Sequence, residues 1–91
     1  MELVDRNKQN RFRCPCCGFY TLSVHGLYDI CPVCYWEDDP LQLKDEARAG
    51  GANKVCLCDA RKNYLKIGAC EAEYVNYVRK PRPEEFPPKN K

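Results

Sequence analysis

The sequence lacks any long run of apolar residues. Its first residues, MELVDRNKQNRFR, contain no apolar stretch of the kind that a secretory signal needs. No segment approaches the roughly 18 apolar residues of a membrane-spanning helix. We therefore expect a cytoplasmic protein without a membrane partner. In that reducing environment, paired cysteines bind metal or do chemistry rather than form structural disulfides.

A strong excess of one charge is also missing. The chain has 15 basic and 13 acidic residues, which gives a formal net charge of +2. This weak electrostatic signal argues against nucleic acid as the obvious partner. The chain is also short: 91 residues suffice for one small domain, and such a domain often needs a staple because its apolar core is small.

Cysteine is abundant, with 8 residues in the chain. Two pairs have the CxxC spacing typical of zinc sites: Cys14 with Cys17, and Cys31 with Cys34. Tetrahedral zinc needs four soft ligands, and each CxxC turn places two sulfurs on one side of the metal. We therefore predict one structural Zn²⁺ per chain, although thiolates also accept iron.

The segment between the two pairs, FYTLSVHGLYDI, predicts a β-hairpin with a tight His-Gly turn at 25–26. In that register Val24 lies opposite Leu27. Continuing the ladder places Cys17 level with Cys34, so that the hairpin brings both pairs to one end.

Helical signals follow the cysteine-rich part. The run VCLCDARKNYLKIGA has the helical period, and Gly68 suits its C-terminal cap. A second helix is predicted from Glu71 to just before Pro81. Between the pairs and these helices, PLQLKDEARAGGANK predicts a loop with one short helical turn. The helix predicted in VCLCDARKNYLKIGA has an apolar face that comprises Leu57, Ala60, Tyr64 and Ile67.

These features predict a small α+β metal-stabilised domain, with a zinc-ribbon-like β-hairpin and one or two C-terminal helices. The predicted organisation is a loose N-terminal segment at 1–10, one domain at 11–80 and a Pro-rich, disordered tail at 81–91.

Four cysteines lie outside the predicted ligand set. Cys16 is interpreted as a small apolar filler, with a reactive thiol as the alternative. Cys56, Cys58 and Cys70 are interpreted as core or near-core residues. A second metal site, with Cys16 or His25 as the fourth ligand, is the weaker alternative, because a helical CxC points its sulfurs about 200° apart.

An acidic run, Glu37, Asp38 and Asp39, directly follows the second pair. Three carboxylates could bind a hard cation or act as a general base. The alternative is a loop whose charge helps to cap a following helical turn. A zinc held by four cysteines has no open position for water, so it would not hydrolyse a substrate.

Basic and aromatic residues surround the cysteines and are the candidates for contact with a partner. Aromatic rings between arginines could stack on bases, although they more often form the core of a small domain. The candidate partner-binding residues are Arg11, Arg13, Tyr20 and Trp36.

The blocks CPCCGFYTL, ICPVCYWEDDP, GGAN and LCDARKNYLKIGA resemble, in this order, the bacterial family of cysteine-rich CPCC proteins. The resemblance implies a zinc-ribbon variant. Serine is usual in that family where this chain has Cys56, and a small hydrogen-bonding residue there suits a helix N-cap.

The predicted function is a small zinc-binding module that mediates protein or nucleic-acid binding. Two alternatives stay open. One is a thiol redox or electron-transfer protein, since two CPxC units also occur in rubredoxins, where the four thiolates hold iron. The other is a metal-dependent hydrolase that uses the acidic run.

Overall fold

Two short strands and two helices form the regular structure of residues 6–88, the part of the chain that this computed structural model describes. This is a small α+β arrangement around a cysteine cluster, as predicted. Within these residues, no helix has the length and apolar character needed to cross a membrane. In chain order the elements are β1 (Phe12–Arg13), β2 (Tyr20–Leu22), α1 (Pro40–Lys44) and α2 (Leu57–Ile67).

The strands form a hairpin whose turn is the CPCC segment. β1 pairs antiparallel with β2, with Phe12 opposite Leu22 and Arg13 opposite Tyr20. The predicted hairpin between the two cysteine pairs is therefore wrong in its register. β2 finds its partner upstream because the tight turn after Cys14 reverses the chain before residue 20 is reached.

The segment after β2 is an irregular loop rather than the predicted His-Gly hairpin turn. Asp29 Oδ2 accepts hydrogen bonds from both Ser23 N–H and the Ser23 hydroxyl, at 2.8 and 2.9 Å. Gly26 N–H donates to Asp38 Oδ2 at 2.6 Å. Gly26 and Tyr28 both have positive φ, which a regular strand would not permit. The Asp29 carboxylate thus folds this loop on itself, and the Asp38 carboxylate joins it to the segment that follows the second cysteine pair.

Both helices carry recognisable end signals. α1 has Asp39 as its N-cap, and its side chain accepts from Leu41 N–H at 2.8 Å. α2 has Cys56 as its N-cap, with the sulfur accepting from Asp59 N–H at 3.4 Å. Gly68 ends α2 in the left-handed conformation, as predicted.

The predicted second C-terminal helix is wrong. Between Glu71 and Pro81, where this helix is predicted, the structure has one 3₁₀ turn, Ala72–Tyr74. Its N-cap, Glu71, makes no capping hydrogen bond with its side chain. Farther on, Arg79 N–H donates to the Pro32 carbonyl at 3.1 Å. Without a cap, and with its backbone bonded to a distant loop, the segment does not continue as a helix.

Residues 81–88 contact the domain. A second 3₁₀ turn, Pro83–Glu85, places Glu85 beside Arg79, and the two side chains form a bidentate ion pair at 2.9 and 2.7 Å. Phe86 packs edge-on against Phe19, with ring centroids 4.9 Å apart. Residues 1–5 and 89–91 lie outside the described residues, and the proposed limits at 1–10, 11–80 and 81–91 stay predictions.

The core lies between the cysteine cluster and α2. Leu57 and Ala60 of α2 are fully buried against it, whereas Ile67, the last residue of the predicted apolar face, is 41% exposed. Cys70 N–H donates to the Cys34 carbonyl at 2.8 Å, which fastens the end of α2 to the second cysteine pair. The fully buried side chains include Leu22, Cys31, Cys34, Trp36, Leu57 and Cys70.

A buried amide network joins the acidic run to the loop before α2. The Gln42 side chain is fully buried, and its Oε1 accepts from both the backbone and the side chain of Asn53, at 3.1 and 2.9 Å. The Asn53 side chain in turn pairs with the backbone of Glu37 through two hydrogen bonds of 2.9 and 2.8 Å. The network needs Gly51, because a Cβ there would lie 2.6 Å from Asp39 Oδ2.

We expect Gly51→Ala to lower the free energy of unfolding by about 1–3 kcal/mol, because the added methyl overpacks a site whose neighbours are hydrogen-bonded in place. Urea denaturation would measure the change. Ala52→Ser is the matched control: residue 52 is exposed and keeps its backbone N–H bond to Asp39. Equal stability of the two variants would contradict the close packing at Gly51.

Candidate metal centre

The first cysteine pair lies on a turn that is closed by its own backbone. Cys14 N–H donates to the Phe19 carbonyl, and Gly18 N–H donates to the Cys14 carbonyl, both at 2.8 Å. Gly18 has φ of 84°, a conformation that glycine adopts without strain. The turn directs Cys16 N–H towards Cys14 Sγ at 3.4 Å.

The second pair repeats this geometry. Cys31 N–H donates to the Trp36 carbonyl at 2.9 Å, and Tyr35 N–H donates to the Cys31 carbonyl at 2.8 Å. Val33 N–H points at Cys31 Sγ at 3.3 Å. Tyr35 occupies the position equivalent to Gly18 and also has positive φ, 73°. We call these two turns, residues 14–19 and 31–36, the cysteine knuckles.

The knuckles bring the four predicted ligands together. Their sulfur atoms all lie within 4.8 Å of one another. Cys14 Sγ is 3.5 Å from Cys34 Sγ, and Cys17 Sγ is 3.7 Å from Cys31 Sγ. These separations are far above the roughly 2.05 Å of a disulfide. They match the sulfur–sulfur edge of about 3.8 Å that follows from four Zn–S bonds of about 2.3 Å in a tetrahedron.

The pKa values of the clustered thiols make metal binding at this site depend on pH. Burial raises the pKa of Cys14 and of Cys34 well above the usual range. Burial also opposes ionisation of Cys31, but hydrogen bonds from Cys14, Cys17, Cys34 and Thr21 outweigh it and lower the pKa of Cys31. A metal must displace the protons that remain, so binding to this cluster weakens as pH falls.

Thr21 supports the cluster from β2. Its hydroxyl lies 3.0 Å from Cys31 Sγ, in addition to the contact from Val33 N–H. Donors of this kind orient a ligand and stabilise its negative charge. Thr21 was not among the residues predicted from the sequence, since a threonine inside a strand pattern carries no signal that its hydroxyl faces a sulfur.

The other four cysteines lie outside the cluster. Cys16 is buried. Cys70 is fully buried, and burial raises its pKa to about 12. Cys56 caps α2, and Cys58 is exposed, so the interpretation of Cys58 as a core or near-core residue is wrong. Within residues 6–88, no second group of three or more Cys, His, Asp or Glu side chains is close enough to share an ion.

The acidic run is built into the fold. Asp38 is fully buried and accepts from Gly26 N–H, while Asp39 accepts from the backbone of Leu41 and Ala52. The bond from Ala52 N–H lowers the pKa of Asp39. Glu37 contributes its backbone to the pairing with Asn53. In the described part of the chain, these carboxylates do not converge on one ion site.

The candidate partner-binding residues separate into two groups. Trp36 is fully buried and Tyr20 is 4% exposed, so these two side chains offer a partner no surface. Arg11 and Arg13 are exposed. Arg13 also donates to the Gly18 carbonyl at 3.1 Å and lies over the Tyr20 ring, 5.9 Å from its centroid. Partner contact through the two arginines stays a prediction.

A family model described as Cysteine-rich CPCC matches residues 12–85. The match includes both knuckles, both helices and the ion pair of Arg79 with Glu85, and it confirms the resemblance seen in the sequence. No curated protein matches the chain.

We expect Thr21→Val to weaken metal binding about tenfold, because it removes the hydroxyl donor to Cys31 while keeping the shape of the side chain. Competition with a chromophoric chelator would measure the affinity. Thr21→Ser, which keeps the hydroxyl, is the control and should stay near the wild-type affinity. Wild-type affinity in the valine variant would show that the hydroxyl does not support the site.

Proposed function

We propose a function for this chain, which belongs to the cysteine-rich CPCC family, from the chemistry of its four-thiol cluster. The protein is a binding module whose fold is stabilised by one structural Zn²⁺, held by Cys14, Cys17, Cys31 and Cys34 in a reducing compartment. The observation that carries this proposal is the approach of all four sulfurs to within 4.8 Å.

The donor set supports zinc in a structural role. Four thiolates complete a tetrahedron and leave no position for water, which is the arrangement of structural rather than catalytic zinc sites. Cys14, Cys31 and Cys34 are at most 1% exposed. When bound, Zn²⁺ would neutralise part of the thiolate charge and cross-link the two knuckles. In small domains such binding contributes about 10–16 kcal/mol in apparent terms.

The surface supports a protein partner. The loop after β2 exposes four large apolar side chains, and we call residues 23–30 the apolar loop. Leu27 is 68% exposed, and Tyr28 is 48% exposed. Asp29 and Asp38 hold this loop in place through the hydrogen bonds described above. The exposed apolar residues of the loop are Val24, Leu27, Tyr28 and Ile30.

The charge of the chain supports the same choice. Arg6, Lys8, Arg11 and Arg13 precede the first knuckle, but the net charge of the whole chain is only +2. A partner with an apolar groove and an acidic rim would match both the apolar loop and this basic segment. Nucleic acid would use the arginines but would leave the apolar loop unmatched.

We expect one zinc per chain in the purified protein, measured by native mass spectrometry with elemental analysis. Removal of the metal by a chelator should abolish the cooperative unfolding transition, because the buried thiols lose their cation. Cys31→Ser should lose the metal, while the matched variant Cys58→Ser, at an exposed cysteine outside the cluster, should retain it.

Bound iron and a red colour would favour the redox alternative. A divalent-ion-dependent hydrolysis lost in Asp38→Asn would favour the hydrolase.

We expect Leu27→Asp to reduce capture of a protein partner at least about tenfold, because it places a charge in the apolar loop. Quantitative pull-down with zinc-loaded, tagged protein would measure the loss. Leu65→Asp is the matched control, since Leu65 is 86% exposed on α2. An equal loss in both variants would exclude the apolar loop as the binding surface. Retention of the protein on immobilised RNA or DNA, unaffected by Leu27→Asp, would favour nucleic acid.

A further inference from the structure

The four ligands differ in their access to solvent. Cys14 is 1% exposed, and Cys31 and Cys34 are fully buried. Cys17 alone among them is only partly buried. It lies at the open end of the first knuckle, between the buried Cys16 and the half-buried Gly18. A reagent in solution therefore reaches one sulfur of the cluster more easily than the other three.

The four ligands also differ in their hydrogen-bond donors. Cys14 Sγ accepts from Cys16 N–H, and Cys31 Sγ is contacted by Val33 N–H and the Thr21 hydroxyl. Each knuckle aims its amide at the first cysteine of its pair, so the second cysteine receives none.

Cys17 and Cys34, the second cysteines of the two pairs, are not equivalent. Cys34 is fully buried, so a reagent in solution does not reach its sulfur. Within residues 6–88, the hydrogen-bond contact of Cys17 Sγ is with another sulfur of the cluster, Cys31 Sγ, at 3.7 Å. Hydrogen bonds spread the negative charge of a thiolate and so reduce its tendency to attack an electrophile. The donors leave the charge of Cys17 and Cys34 less dispersed than that of Cys14 and Cys31, and of these two sulfurs Cys17 is the accessible one.

We propose that Cys17 is the modification site of this centre, the metal-bound thiolate that reacts with soft carbon electrophiles such as haloamides. This inference rests on the proposed zinc site. With iodoacetamide the Cys17 sulfur forms a bond to carbon, and the carbon–iodine bond breaks as iodide leaves with the electron pair. The products are a neutral thioether at Cys17 and free iodide, without an oxidant or a reductant.

Modification would change the metal centre itself. A thioether carries no charge and is a weaker ligand for Zn²⁺ than a thiolate. The centre would then hold zinc with three thiolates and one weak position, which solvent or a chelator can enter. Cys17 would in this way couple exposure to an electrophile with release of the structural metal and loss of the fold.

The test uses zinc-loaded Cys58→Ser protein, because Cys58 is an exposed free thiol outside the cluster and would react in its own right. A native mass spectrum before reaction establishes one zinc per chain. The protein is treated with limiting iodoacetamide, peptide mass spectrometry follows each cysteine, and native spectra follow the zinc. We expect Cys17 to react at least about tenfold faster than each of the other six cysteines, and its alkylation to precede zinc loss.

Two outcomes would overturn the proposal. Equal reaction of Cys14, Cys17, Cys31 and Cys34 would show that reagent enters only when the whole domain opens. Zinc loss before alkylation of Cys17 would show that the metal-bound thiolate is not the reacting species. A protein without zinc at the start would instead contradict the proposed function, so the two failures are distinguishable.

Discussion

The constraint on which this fold depends is the crowding of four sulfur atoms in a nearly dry site. Two unit negative charges at 4 Å repel each other by about 4 kcal/mol in a medium of intermediate dielectric constant, and a tetrahedron contains six such pairs. Four thiolates can share this space only around a cation. β1 and β2 flank the first knuckle, and the second knuckle accepts the hydrogen bond from Cys70 N–H through the Cys34 carbonyl. Arg79 N–H donates to the Pro32 carbonyl, and the Arg79 side chain pairs with Glu85. The peripheral elements are thus held in place by the centre that a metal would complete.

The sequence predicts the centre better than it predicts the elements around it. CxxC spacing is a local signal, and the structure brings together all four sulfurs that it indicated. α2 was also predicted, because its helical period and Gly68 are local signals as well. The hairpin failed because alternating residues after Cys17 indicate a strand but not its partner. The first knuckle makes the turn before β2, and the alternation of apolar and polar residues does not show that the chain turns there.

Other features depend on contacts across many residues. The pairing of the Asn53 side chain with the Glu37 backbone joins two blocks, WEDDP and GGAN, that were visible as motifs but carried no sign of their contact. The acidic run consequently resembled a catalytic cluster in the sequence, although its carboxylates cap α1 and hold the apolar loop. The helix predicted after Glu71 failed for a similar reason. Tyr74 packs on Tyr35 of the second knuckle, with ring centroids 4.4 Å apart, whereas the neighbouring Val75 is 40% exposed.

The two knuckles are nearly the same in backbone but differ at the residue with positive φ. Gly18 adopts this conformation freely, whereas a tyrosine in the same conformation is strained by roughly 1 kcal/mol. Tyr35 offsets that strain through its ring, which packs on Tyr74 and lies 5.9 Å from the Tyr77 ring. The second knuckle is thereby both a metal-binding turn and the docking point for the chain after α2.

All four ligands belong to residues 14–34, and the rest of the described chain supplies none. The loop that a metal must close is therefore short, and its entropic cost is small compared with that of contacts between distant segments. During synthesis residues 14–34 leave the ribosome before α2 does, because they precede it in the chain. A metal bound at that stage would fix the two knuckles, and the Cys34 carbonyl would then be in place as the acceptor when Cys70 emerges. The position of the four sulfurs along the chain would in this way let the domain assemble from its centre outward.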